Sequence, residues 1–109
     1  MSRAFLGEFE QMVLLSILRM GEGAYGLEVR RELEEATDRK VSRGGFYTTL
    51  DRMERKGYLK WVSEVPENSR RKTRQRRFSV TAEGMEALKS SRRALITLWD
   101  GLEPMLEDR

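Results

Sequence analysis

The chain has 109 residues, 39% of them hydrophobic and 36% charged, which is enough for one small domain and suggests further apolar surface hidden in a partner. It contains no cysteine and no histidine, so a disulfide framework, a thiolate metal site and the commonest general base are all excluded; no metal or other cofactor is expected, and no enzymatic activity. The net charge of +3 is unevenly spread, with −3 on residues 1–36, +8 on residues 37–80 and −2 on residues 81–109, so the middle of the chain is a basic island.

From Phe5 to Met20 apolar residues recur at helical spacing, and the Gly21-Glu22-Gly23 turn ends this first helix. Its longest apolar stretch, Met12 to Leu15, is far too short to span a bilayer, and no signal-like segment precedes it, so a cytoplasmic protein with no membrane partner is expected. A second helix is predicted from Tyr25 to Ala36, with Leu27, Val29 and Leu33 turned inward. Ser42 is a good N-cap for a third helix, its oxygen placed for the N–H of Gly44 or Gly45, with Phe46, Tyr47, Leu50 and Met53 on the inner face and Gly57 closing the C-terminus.

Two short runs rich in β-formers follow, Leu59 to Ser63 and Arg76 to Val80, joined by a polar stretch that includes Pro66, Glu67, Asn68 and Ser69; a long-looped hairpin is predicted. Thr81 then caps a last helix in which Leu88, Leu95 and Leu102 stand at heptad spacing, with Leu98, Trp99, Met105 and Leu106 beside them. About three heptads exceed what so small a core can cover, so Leu88, Leu95, Leu98, Trp99, Leu102 and Met105 are expected to pair two copies of the chain. The fold class is therefore mainly α (α+β): a winged helix-turn-helix over residues 1–81, with a two-stranded wing, and a long dimerisation helix over residues 82–109, the two forming one structural unit.

Arg70, Arg71, Lys72, Arg74, Arg76 and Arg77 put six cations into eight positions at the tip and descending arm of the hairpin. Alone, such a run is as well explained by a solvated loop, but beside a helix-turn-helix it suits the phosphate backbone of duplex DNA. Ser42, Arg43, Gly44 and Gly45 join a cap, a cation and two residues without side chains at a positive helix end; one of the glycines serves either to let a phosphate approach or to make room for the second helix. Thr48, Thr49 and Arg52 lie on the polar side of the third helix as candidate base readers. Tyr47 is either core or a ring on the scaffold with its hydroxyl on a phosphate. Trp61 and Trp99 are ordinary burial or interface residues first, although Trp99 at a dimer interface also suits a pocket for a small, flat aromatic effector.

Three segments resemble the PadR family of winged-helix transcriptional regulators over roughly Leu6 to Leu88. Val41-Ser42, Gly44 three before Tyr47, and Leu50-x-x-Met53-x-x-x-Gly57 are similar to its recognition-helix signature; Phe78-Ser79-Val80-Thr81-Ala82-Glu83-Gly84 is similar to its exit from the wing; Ala24-Tyr25-Gly26 is similar to its Gly-Tyr entry into the second helix. Phe78, Ala24 and Met53 stand where the family usually has Tyr, Gly and Leu. The resemblance implies a homodimeric regulator, usually a repressor, that binds a pseudo-palindromic operator through recognition helix 43–56 and basic wing 64–77. A winged helix used for protein assembly is the competing class, and the basic island argues against it.

Overall fold

The computed structural model describes residues 5–67, 69–70 and 72–107. Helices α1 (Glu8–Met20), α2 (Gly26–Thr37) and α3 (Arg43–Arg55) are followed by an antiparallel hairpin of β1 (Leu59–Glu64) and β2 (Gln75–Val80) and by α4 (Ala82–Trp99). One-turn 3₁₀ segments follow α1 (Gly21–Gly23) and close the described chain (Glu103–Leu106). This is the expected winged helix-turn-helix, with every element but the last helix within a few residues of its predicted bounds.

The core forms where three amphipathic helices turn their apolar stripes onto one face of the hairpin. Val13, Leu14 and Ile17 of α1, Val29 and Leu33 of α2, and Phe46, Leu50 and Met53 of α3 are all buried, and Leu59 and Phe78 close the layer from the strands. Trp61 pairs with Phe78 and Ser63 with Arg76 across the ladder, so alternate residues of each strand face α3. The α1–α2 connection lies along the outer edge of β2: the Phe78 amide donates to the Ala24 carbonyl at 2.9 Å, and Tyr25 bridges to Arg77.

Leu27 departs from the predicted pattern. It is 44% exposed, because the inward face of so short a helix is filled by Val29 and Leu33 and by the close approach of Gly26 to Tyr47.

Two polar fastenings hold the outer helices. At the start of α4, the Thr81 hydroxyl donates to the Gly57 carbonyl at 2.5 Å and accepts from the Gly84 amide at 3.0 Å, while the Thr81 amide donates to the Tyr58 carbonyl at 3.1 Å. Gly84 is required here, since a Cβ on it would lie 2.1 Å from the Tyr58 carbonyl oxygen and 2.7 Å from Val80 Cγ1. At the start of α1, Glu10 is only 8% exposed, yet it accepts from the Gly7 amide at 3.0 Å and from Arg52 Nε and Lys56 Nζ, both at 3.4 Å.

The last helix is shorter than the heptad pattern predicts. It ends at Trp99, the backbone turns through Asp100 and Gly101 (φ +83°), and Leu102, Met105 and Leu106 lie beyond the helix. The stop is made at Asp100, whose ψ of 124° leaves the helical region, and at Gly101 with its positive φ, and Pro104, which has no N–H and whose ring would clash with a helical Asp100 carbonyl, keeps the helix from resuming. Asp100-Gly101 and Pro104 are turn signals that heptad counting overrode. Leu88 also differs from expectation: at 8% exposed it belongs to this chain's own core and is not free to pair with another copy. No helix among the described residues is long and apolar enough to cross a membrane.

Replacing Gly84 by Ala should lower stability. Helix propensity would gain about 1 kcal/mol, but a methyl at 2.1 Å from a backbone oxygen forces α4 off the hairpin. We expect the thermal midpoint to fall by about 5 °C or more; a rise in a melting curve would show that α4 is not seated on Tyr58.

Glu10 makes stability depend on pH. Burial works to raise its pKa, but the Gly7 hydrogen bond and the charges of Lys56 and Arg52 outweigh it, and the carboxyl titrates below its ordinary value of 4.5. The stabilisation is therefore complete above about pH 4.5 and is lost as pH falls through the lowered folded value. Glu10→Gln should melt a few degrees lower at pH 7 and lose less on acidification than the parent chain; parallel Tm-against-pH curves would contradict this.

Candidate nucleic-acid interface

Helix α3 is built to leave one face free. Ser42 caps it, its hydroxyl oxygen accepting from the Gly45 amide at 3.1 Å, and Phe46, Leu50 and Met53 bury the opposite side. What remains outward is a stripe through Gly44, Thr48, Asp51 and Arg55, at the spacing that lines one face of a helix, with Arg43 beside its first turn.

The glycines have separate roles. Gly45 makes room for the Ser42 hydroxyl, which would sit 2.8 Å from a Cβ, whereas nothing lies within 4 Å of a Cβ on Gly44. Neither makes room for α2. That part falls to Gly26, whose missing side chain admits the Tyr47 hydroxyl, 2.5 Å from where its Cβ would be.

Two of the expected base readers are placed elsewhere. Thr49 is 5% exposed and its hydroxyl donates to the Gly45 carbonyl at 2.8 Å, so it faces the interior and cannot meet a base edge. Arg52 turns toward α1, its Nε on Glu10. Thr48 stays on the exposed stripe, and Arg55, absent from the sequence-based expectation, joins it. A single step of 100° around a helix separates Thr48 from Thr49, and the two are indistinguishable until the inner face is fixed by its neighbours.

The cations of the hairpin also divide. Arg76 lies inward, with its guanidinium carbon 5.2 Å from the Trp61 ring centroid, 5.5 Å from Phe78 and 5.6 Å from Tyr47, and with Nη1 3.6 Å from Asp51 Oδ1. It is a strut between wing and α3, and not the free wing cation that the basic run suggested. Arg77 pairs with Glu64, which also accepts from the Tyr25 hydroxyl at 3.1 Å; the guanidinium beside it holds the Glu64 carboxyl below the ordinary carboxylate range. Arg74 reaches across the hairpin to donate to the Ser63 hydroxyl at 3.1 Å and carbonyl at 2.6 Å, while remaining exposed. Arg70 and Lys72 are exposed at the tip, with no ion pair among the described residues. Arg71, expected beside them, lies outside the described residues.

Between α3 and the wing lies a concave cradle of about 330 Å³, lined by Gly26, Leu27, Arg43, Tyr47, Arg74 and Arg76. It opens at the N-terminus of α2, where Tyr25 is the N-cap residue and no side chain caps the free amides. Unsatisfied N–H groups, the positive helix end and flanking guanidinium groups together favour an anionic oxygen. Tyr47 joins the two halves, its ring edge-on to Phe46 at 5.2 Å and within cation–π reach of Arg43 at 6.0 Å. Sequence reading missed this cradle because Gly26 and Leu27 carry no charge; the missing cap at Tyr25 was its one visible sign.

On the opposite side, α1 and α4 leave an apolar groove of about 500 Å³ lined mainly by Leu15, Leu18, Met85, Leu95, Ile96 and Trp99. Leu98 is 71% exposed and Met105 79%, and Leu102 and Leu106 also face outward. Trp99 stands half-exposed on the rim of this groove. Among the described residues no cluster of carboxylates suits a metal ion.

Proteins of known structure share this fold. A PadR-like transcriptional regulator from Bacillus cereus is 20% identical, with a TM-score of 0.74 and 93% of each chain covered. A PadR family transcription regulator from Clostridium difficile is 24% identical, with a TM-score of 0.68 over 91% of this chain and 99% of that one. RosR of H. salinarum is 25% identical, with a TM-score of 0.63 over 95% of this chain and 81% of that one. No curated protein matches the chain. The family model described as the transcriptional regulator PadR-like family matches residues 14–90, which takes in everything from mid-α1 to the first half of α4, and the chain belongs to that family.

Proposed function

We propose that the protein is a homodimeric, sequence-specific duplex-DNA-binding repressor. The observation that carries this reading is the juxtaposition of an exposed stripe on α3, an α2 N-terminus without a side-chain cap and a wing tip whose described cations, Arg70 and Lys72, are exposed. In this reading Thr48, Arg43 and Arg55 meet base edges in the major groove, where Arg grips guanine and a Thr methyl meets thymine. Gly44 allows the backbone to come close. A phosphate enters the cradle between Tyr47, Arg43 and the Gly26 and Leu27 amides, and Arg70, Lys72 and Arg74 follow the backbone further along. The repressor role rests on the family resemblance.

Dimerisation rests on the apolar face. Leu95, Ile96, Leu98, Trp99, Leu102 and Met105 are exposed in one protomer, and a contiguous apolar surface of this kind is costly to leave in water. A second copy related by a twofold axis covers it with the same residues and presents two α3 helices to half-sites about 34 Å apart.

Selection of bound duplexes from a random pool should yield an inverted repeat with that spacing; failure to retain any duplex at low salt would end the DNA reading. Replacing Arg70 and Lys72 together by Ala should weaken binding to every sequence alike and make the salt dependence shallower by up to about 1.8 in log–log slope. An unchanged slope would take the wing tip off the phosphates. Thr48→Ala should instead change the preferred bases, with a good contact worth about 1–3 kcal/mol of discrimination. Leu98→Glu, at a position 71% exposed in its own chain, should leave a folded monomer by sedimentation that no longer binds the paired site; a dimer of unchanged stability would move the interface elsewhere.

A further inference from the structure

Glu10 is a buried acidic residue of α1 that reaches the C-terminal end of α3. Its Oε1 is used locally, accepting from the Gly7 amide at 3.0 Å, and its Oε2 is shared between Arg52 Nε and Lys56 Nζ at 3.4 Å each. These two cations stand about one turn apart, Arg52 in the last turn of α3 and Lys56 at its C-cap, and both remain roughly half-exposed, so water alone would satisfy them. The carboxylate is not needed to neutralise a buried charge. What it does is fix the side of α3 that turns toward α1.

On the other flank, Arg76 of β2 reaches Asp51 at 3.6 Å. Asp51 and Arg52 are adjacent on the helix and 100° apart around it, so α3 is stayed from two directions, by α1 on one side and the wing on the other. The segment carrying Glu10 is itself tied to α4. The Leu6 amide donates to the Ser91 hydroxyl at 3.0 Å, Ser91 is buried, and Gln11 Nε2 donates to the Leu6 carbonyl at 3.0 Å. The path from α4 through Leu6, Gly7 and Glu10 to Arg52 and Lys56 is continuous and polar.

We propose that Glu10 is a positioning residue for DNA reading: it sets the rotation of α3 relative to α4 and holds Arg52 and Lys56 away from the phosphates, favouring specific over indiscriminate binding. This rests on the DNA-binding reading above. The hydrophobic attachment of α3 through Phe46, Leu50 and Met53 does not depend on Glu10, so removing its charge frees two cations and loosens the helix's rotation without dissolving the core. The two consequences have opposite signs. Non-specific affinity rises as freed cations displace counterions, and discrimination falls as the reading stripe loses its bearing.

The test compares the full-length chain with Glu10→Gln and Glu10→Asp on two duplexes of equal length, one selected by the parent protein and one scrambled, from 50 to 200 mM salt. Glu10→Gln should bind the scrambled duplex more tightly, steepen its salt slope by about one to two, and lower the selected-to-scrambled ratio about tenfold. Glu10→Asp, which keeps the charge, should stay nearer the parent on both measures. An unchanged ratio and slope, or equal weakening on both duplexes, would reduce Glu10 to a structural ion pair and overturn the proposal. If Glu10→Gln does not fold, Arg52→Gln and Lys56→Gln made separately remove the stay from the other end; they should lower the ratio without steepening the slope, and an unchanged ratio would likewise overturn it. A parent protein that retains neither duplex would refute the DNA reading itself, and with it this role.

Discussion

Helix α3 is gripped firmly on one side and left bare on the other, as the proposed reading of DNA requires, and many features of this chain follow from that constraint. Phe46, Leu50 and Met53 give α3 its grip, at a spacing that covers less than half of its circumference. Such an anchor resists being pulled away from the core better than it resists rolling, because apolar burial is non-directional. Direction has to come from polar groups with defined geometry. Glu10 and Arg76 supply it from opposite flanks, and Ser42 fixes the point at which the helix begins.

The same requirement explains why a strongly basic segment commits so much of its charge internally. Arg76 lies among three aromatic rings, Arg77 is held by Glu64, Arg74 braces the hairpin through Ser63, and Arg52 is drawn to Glu10. A two-stranded hairpin is marginally stable by itself, and guanidinium groups suit its bracing, since a planar cation can stack on rings and donate several hydrogen bonds at once. Among the described cations, Arg43 and Arg55 on α3 and Arg70, Lys72 and Arg74 toward the wing tip stay exposed at the edges of the site.

Element order and the core were legible in the sequence because each rests on a local signal. Ser42 and Thr81 cap, Gly57 ends α3, and the apolar residues of α1 and α3 repeat at helical spacing. What was not legible depended on partners distant in the chain. Thr49 and Thr48 are chemically alike, and only the packing of α3 against α1 and α2 decides which is buried. Leu27 reads as core until Gly26 is seen to be filled by Tyr47. Arg76 is one Arg among several until the register pairs Ser63 with it and brings the Trp61 ring beneath it. The end of the last helix is set by a local signal, Asp100-Gly101 followed by Pro104, over which the heptad spacing of the leucines continues.

Helix α4 has two dissimilar halves, and in the proposed dimer the difference bears on how two copies of α3 are held apart. Its first half is fastened to the domain through Thr81, Gly84, Ala87, Leu88 and Ser91. Its second half leaves the domain, and the radius of gyration of 15.8 Å exceeds the roughly 13 Å of a compact chain of about this length. An arm fastened so tightly at its base cannot hinge freely there. If a second copy packs on its apolar end, the distance between the two α3 helices is set by rigid parts: the fastening at Gly84, the length of helix from there to Trp99, and the angle at which the two arms cross. A shift at the apolar end then reaches the DNA-facing side as a change in separation or in rotation. The polar path from Ser91 through Leu6 to Glu10 is where the rotational component would be felt.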